Sequence, residues 1–322
     1  MEKELEQAVY QTVRFFDLSE QPVTVVQIWR NLVMVEGDSH TRWSGHRVYN
    51  LRDIREILEK SEWLGKKLKQ WWGYWFLVGR DELMEQRMRR HACAQGKMKL
   101  AVAATRCLSI MPFVRMVAVS GSLVLGNAKQ TSDLDFLVVV KRGRVWLARL
   151  GLLAAAQLTG RRRKYWHEVA PDKICLNHYL ADDSLAISTD IRNLYTAVIY
   201  HNLVLLAGWE CYDKFQEING TWIKRFLMYP AESQLPPVLV GREPRSNSWF
   251  KGAFEAVLSE SIFDWLEKLA ERWQRYSVLR HEVLGRAGRV VMSDTELAFH
   301  PDSKVPGILE KFARDEGQRQ LL

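Results

Sequence analysis

Apolar residues recur at two different periods along this chain, and the changes of period outline its elements. Leu5 to Phe16 is apolar at helical spacing. Pro22 and Thr24 open a second helical stretch carrying Val25, Ile28, Trp29 and Leu32, and Leu51, Ile54 and Leu58 mark a third. Trp63 to Leu68 and Trp72 to Val78, around a basic turn with Gly73 near it, read as paired strands. Asp81 is placed to cap a long helix that runs to about Met111, where Pro112 stops it. Val114 to Val119 is a short β-branched run suited to a buried strand, and a second apolar strand opens at Asp133-Leu134-Asp135. A buried helix from Val145 to Thr159 and a strand from Lys173 to Leu180 follow.

Beyond Asp190 the pattern reads as helical. Leu194 to Leu206 and Trp222 to Met228 are expected helices, and Pro230 to Ser248, with four prolines, is an expected surface connection. Phe250 to Leu284 gives a long amphipathic helix, Arg289 to Ala298 one more extended piece, and Ile308 to Phe312 a final helical turn. The pattern therefore predicts an α/β (α+β) protein with three parts. Residues 1–80 form a helical module ending in a hairpin, residues 81–189 a mixed-sheet core led by a long helix, and residues 190–322 a helical region.

Composition narrows the class. Of 322 residues, 47% are apolar and 26% charged, with 19 Gly and 9 Pro, which excludes a disordered or collagen-like chain. Cys93, Cys107, Cys175 and Cys211 lack close pairing, so they are expected to be buried and reduced. Met1 to Glu6 alternates charges and does not lead into an apolar segment, and Val145 to Thr159 is interrupted by Arg149 and too short to span a bilayer. These features predict a cytoplasmic protein with no membrane partner. Thirteen Trp are expected mainly as packing anchors. Net charge is +8, and residues 81–170 alone hold 16 Lys and Arg against 6 Asp and Glu. That local excess favours an anionic ligand, a phosphate or a nucleic acid.

The chemistry concentrates after the Val114 strand. From Val117 the chain reads Val-Ala-Val-Ser-Gly-Ser-Leu-Val-Leu-Gly-Asn-Ala-Lys-Gln-Thr-Ser-Asp-Leu-Asp. Gly121 and Gly126 are spaced as in a P-loop, but Asn127 and Ala128 stand where its Lys and hydroxyl residue belong. A serine-hydrolase elbow fails too, because Gly121 directly precedes Ser122 and Val124 lies two after it. What remains is a Gly-Ser turn after one strand and a pair of carboxylates opening the next. Residues two apart share a strand face, so Asp133 and Asp135 point together while Leu134 and Phe136 go to the core. Two such carboxylates repel unless cations lie between them, and hard oxygen ligands suit Mg²⁺. Gly121 lets backbone N–H groups approach a phosphate.

At these residues the sequence resembles the DNA polymerase β-like nucleotidyltransferase superfamily, over about Val114 to Leu180. The resemblance implies a mixed-sheet nucleotidyltransferase core. It implies that Gly121 and Ser122 hold the triphosphate of a nucleoside triphosphate, ATP among the candidates, and that Asp133 and Asp135 ligate two Mg²⁺ ions, or Mn²⁺ in their place. It further implies transfer of a nucleoside monophosphate to an acceptor hydroxyl on RNA, protein or a small molecule, with release of pyrophosphate. The family's third carboxylate falls on the Lys173 strand, where the polar residue is Asn177; its carbonyl oxygen can meet a metal but cannot accept a proton. Glu168, Asp172, Asp182 and Asp183 are candidate substitutes for the missing base, and a catalytically degenerate nucleotide or nucleic-acid sensor is the competing expectation. Lys141, Arg142 and Arg144 are candidate phosphate contacts, and His178 reads as a donor, a base or a hydrogen-bonded core residue. No Cys and His spacing suggests zinc. The three helices and hairpin of residues 1–80 resemble a winged helix in element order, which would make duplex DNA a candidate partner, though a net charge near +1 there offers little phosphate grip.

Overall fold

A computed structural model of the chain describes residues 2–34, 49–163, 169–228, 251–252, 255, 260–280, 289–300 and 305–314. Two of the expected features lie outside these residues: the Pro230–Ser248 connection and the candidate base Glu168.

The N-terminal part opens with α1 (Glu2–Asp17), β1 (Val23–Thr24) and α2 (Val25–Arg30), followed by α3 (Leu51–Lys60), α4 (Glu62–Gly65), β2 (Leu68–Trp71) and β3 (Tyr74–Leu77). Capping boxes begin α2 and α3: Thr24 pairs with Gln27, and Asn50 with Asp53. The strands form an antiparallel sheet in the order β1-β3-β2. The hairpin is displaced from its expected place, because Trp72 and Gly73 both take positive φ and make a two-residue turn. That turn pairs Trp71 with Tyr74, so Trp63 falls in a short helix and not in a strand.

The long helix α5 (Leu83–Leu108) starts without a side-chain cap, since Asp81 is paired with Lys69 instead. Then come β4 (Val114–Val119), β5 (Leu134–Val140), α6 (Val145–Leu158), β6 (Ile174–Ala181), α7 (Leu194–His201), β7 (Val204–Ala207), α8 (Trp209–Ile223), α9 (Glu260–Arg280), β8 (Arg289–Met292), β9 (Glu296–His300) and α10 (Val305–Arg314). Six strands form one mixed sheet in the order β7-β4-β5-β6-β9-β8, with β5 and β6 parallel and the other pairs antiparallel.

The part read as helical thus also supplies three strands. The apolar run Leu194 to Leu206 is a helix and a strand, broken where Asn202 returns its side-chain amide to the Val198 carbonyl. A continuous apolar run does not distinguish these states, and pairing with β4 decides. The helix expected over Trp222 to Met228 is instead the end of α8 and a turn.

Strand alternation sends the two sheet faces into different cores. Phe136, Val138 and Val140 pack with Leu152 of α6 and Phe263 of α9. Leu137 and Val139 face Leu194 and Val198 of α7, Phe215 of α8, and a layer that continues through Ile28, Phe16 and Phe312. The N-terminal elements therefore share a core with the face that carries Asp135. Trp146 and Trp222 are buried as expected, whereas Trp71, Trp72, Trp209, Trp265 and Trp273 are exposed. Among the cysteines only Cys175 is buried; all four are free. No helix among the described residues is long and apolar enough to cross a membrane.

Candidate active site

The site forms where β4 ends and β5 begins. Gly121 follows β4 at φ +70°, a region that glycine enters without strain, and starts a single 3₁₀ turn, Gly121–Leu123. A Cβ on Gly121 would lie 2.5 Å from Oδ2 of Asp135, so the absence of a side chain is what lets the turn abut the carboxylate. The backbone fixes the same approach, with Ser120 N–H donating to the Asp135 carbonyl at 3.0 Å. The Ser122 hydroxyl has no partner among the described residues.

Asp135 lies opposite Cys175 in the parallel pairing of β5 and β6, and a bulge follows between Phe136 and Leu137. Asn177 is the extra residue, so it and His178 turn toward one face. Asn177 is buried and donates its amide N–H to Oδ1 of Asp135 at 3.1 Å. A ligand atom from each of Asp133, Asp135 and Cys175 falls within 4.8 Å of the others. The Arg163 guanidinium is ion-paired with Asp133 and reaches Cys175 Sγ at 3.6 Å.

The electrostatics follow from this crowding. Burial, and then the charge of Asp133, push the Asp135 carboxyl up to about 7. Burial, with the charges of Asp135 and Asp133, likewise holds the Cys175 thiol well above its ordinary range. Tyr195, in the first turn of α7, has its phenol raised by burial and by the charge of Asp135. A cation at this cluster would relieve the repulsion, and the Arg163 guanidinium is the cation standing there. Two carboxylates and a thiol converging on one point fit a divalent metal.

Residues 102–221 match a family model described as a nucleotidyltransferase domain. Over those residues the chain is similar to nucleotidyltransferase domains. The match runs from within α5 through β4, β5, α6, β6, α7 and β7 into α8, and so contains the whole acid cluster. No curated protein and no solved structure matches the chain. Such a domain supports transfer of a nucleotidyl group in general.

Around the acid pair, the structure gathers Gly121, Ser122, Asp133, Asp135 and Asn177, and leaves other expected residues elsewhere. Lys141 and Arg142 follow the opposite end of β5, six residues or roughly 20 Å from Asp135. There Lys141 pairs with Glu260 at 2.9 Å and Arg142 with Asp183 at 3.1 Å. Arg144 is buried against Glu260 and Asp264. Asp182 receives the Arg142 N–H at the same far end. Asp172 accepts from Lys97 at 2.6 Å, and Lys97 also donates to the carbonyls of Gln130 and Ser132, so this pair holds the loop entering Asp133. His178 is a hydrogen-bonded core residue, between Glu296 at 3.0 Å and the Tyr200 hydroxyl at 3.2 Å.

Much of the basic charge of α5 is spent internally. Arg87 binds the carbonyls of Pro22 and Gly126, and Arg90 binds Glu20 and Asn127. With Gln21 donating to the Leu125 carbonyl at 2.8 Å, these bonds tie the loop after the Gly-Ser turn to the N-terminal elements. Cys175, Arg163 and Tyr195 were missed by sequence reasoning. Cys175 was detectable, because it lies two residues before Asn177 on one strand and therefore shares its face.

Proposed function

We propose that the chain transfers a nucleoside monophosphate from a nucleoside triphosphate to an acceptor hydroxyl, releasing pyrophosphate. The observation that carries this reading is the contact between the Gly121 turn and Asp135. A turn built to receive phosphate lies against a carboxylate pair built to receive metal. In this reading the backbone of Gly121 and the hydroxyl of Ser122 orient the triphosphate, while Asp133 and Asp135 hold the metal. Asn177 is a positioning residue that fixes the Asp135 carboxylate through Nδ2. Bound metal would polarise the α-phosphate and neutralise charge on the leaving group. Lys141 and Arg142 have no part in it, since their partners hold them at the other end of the sheet.

The N-terminal part is proposed as a winged-helix-like module, supported by its order of helices and strands and its β1-β3-β2 sheet. Its role here is to brace the phosphate turn through Gln21, Arg87 and Arg90. Duplex DNA gains little support from it: on α3, Arg55 and Lys60 are paired with Glu59 and Glu56.

One observation favours a second reading, a nucleotide-binding domain without transferase activity. The position next to Asp135 holds an amide, and Asp172, Asp182 and Asp183 are all engaged elsewhere. The two readings separate when the protein, an α-labelled nucleoside triphosphate, a divalent cation and a cell extract are incubated together and the label is partitioned among RNA, protein and small molecules. Label entering any acceptor, and lost with Asp133→Asn, supports transfer. Saturable binding of the nucleotide with no labelled acceptor supports the binder.

A further inference from the structure

We propose that Cys175 is itself a ligand of this metal site, and that its thiolate makes the site select a borderline-soft divalent ion, Mn²⁺, Co²⁺ or Zn²⁺, over Mg²⁺. The inference rests on the reading that Asp133 and Asp135 hold a metal, and it concerns which metal and which third ligand.

The geometry begins with register. On parallel neighbours, Asp135 and Cys175 are direct partners, so their side chains rise side by side from one face. Sγ, together with one oxygen from each carboxylate, fits within 4.8 Å, the spread of ligands around a single ion. Cys175 is 3% exposed, so no bulk solvent competes for the sulfur. The Asn177 amide has its N–H turned to Asp135 and so supports an existing ligand.

A cation already stands against two of the three donors. Arg163 pairs with Asp133 and approaches Sγ at 3.6 Å, showing that carboxylate and sulfur can face one positive charge together. On metal entry the Arg163 guanidinium leaves Asp133, the Sγ–H proton passes to solvent, and a metal–sulfur bond replaces the S–H bond. No oxidation accompanies this exchange.

Ligand chemistry then sets the preference. Thiolate is a soft donor that Mg²⁺ binds poorly, since Mg²⁺ takes oxygen ligands in strict octahedral geometry. Among first-row ions, affinity rises from Mn²⁺ to Co²⁺, and sulfur ligation favours Zn²⁺. The two carboxylates keep the site hard enough for Mn²⁺, so the expected order places Mg²⁺ last.

The test uses Co²⁺ and full-length, metal-free protein, read by absorption spectroscopy without nucleotide or turnover. Wild type is expected to show a near-ultraviolet sulfur-to-cobalt charge-transfer band, which Zn²⁺ abolishes and excess Mg²⁺ does not. Cys175→Ser should lose the band and bind Co²⁺ on the order of tenfold or more weakly, since even outer-shell partners of a metal are worth 10- to 100-fold. The Asp133→Asn, Asp135→Asn double variant retains Cys93, Cys107 and Cys211 and should also lose the band, assigning it to this site. Co²⁺ bound with no charge-transfer band, or a band that survives Cys175→Ser, overturns the thiolate ligand while leaving the carboxylate site standing. No Co²⁺, Mn²⁺ or Mg²⁺ binding by wild type overturns both.

Discussion

Asn177 donates its amide hydrogen to Oδ1 of Asp135 at 3.1 Å, from a bulge that turns two successive residues of β6 toward the same face. The neutral donor suits a carboxylate that already has Asp133 beside it. A third negative charge there would meet two others in a poorly solvated corner.

Asn177→Asp is accordingly expected to destabilise the metal-free protein by about 1–3 kcal/mol, through the lost hydrogen bond and the added repulsion. Saturating Mn²⁺ should restore most of that loss by bridging the carboxylates. Thermal unfolding with chelator and with Mn²⁺ measures both. Equal destabilisation in the two conditions would show that Asn177 does not face the metal position.

The raised carboxyl of Asp135 gives a pH dependence with a definite sign. It titrates near 7 in the folded chain against an ordinary value of 3.8, so between these values the folded state keeps a proton that the unfolded state has lost. Metal-free stability should therefore fall as pH rises from about 4 to 7 and show no further loss from this group above that. Asp135→Asn removes the contribution. Urea unfolding of both proteins below, within and above the window should give stability curves that diverge as pH rises, the variant becoming the more stable. Parallel curves would contradict the assignment.

The central strands were legible in the sequence because their apolar runs are bounded by unambiguous residues. Val114–Val119 matches its expected limits, and Asp133-Leu134-Asp135 opens β5 as the alternation required. Leu134 and Phe136 are fully buried, and both carboxylates reach the shared site. What stayed hidden depends on contacts between distant segments. The bulge at Asn177 arises from pairing with β5, and the burial of Arg87, Arg90 and Lys97 arises from carbonyls that only the folded chain brings near. A count of positive charges in residues 81–170 sees these side chains as available to a ligand, although the fold has already used them. Arg163 was visible as part of a basic run, but its ion pair with Asp133 requires the Arg162–Ile174 bridge that places it.

Gly121→Ala tests the close approach at the turn. The left-handed backbone costs a non-glycine residue roughly 1–2 kcal/mol, and the new methyl would press on the Asp135 carboxylate at 2.5 Å. The expected outcome is a lower denaturant midpoint together with nucleotide affinity reduced about tenfold or more, the equivalent of 1.4 kcal/mol. Calorimetry showing unchanged nucleotide binding would make the turn structural only.

Lys97 anchors the loop that delivers Asp133, through two backbone carbonyls and Asp172. Its side chain is 4% exposed while that of Asp172 is 43% exposed, so the two ends of the ion pair carry unequal weight. Lys97→Met keeps the aliphatic stem but leaves the Gln130 and Ser132 carbonyls without their donor, which should cost about 3 kcal/mol, near the lower end for breaking a buried pair. Asp172→Asn leaves Lys97 its two carbonyl partners and a neutral acceptor, and should cost under about 1 kcal/mol, as for a solvent-screened pair. Denaturant unfolding of the two variants gives the comparison. Because the loop enters Asp133 directly, Lys97→Met should also weaken metal binding with Asp133 and Asp135 both intact. If Asp172→Asn proves the more damaging, Asp172 has a function at the site beyond its bond to Lys97.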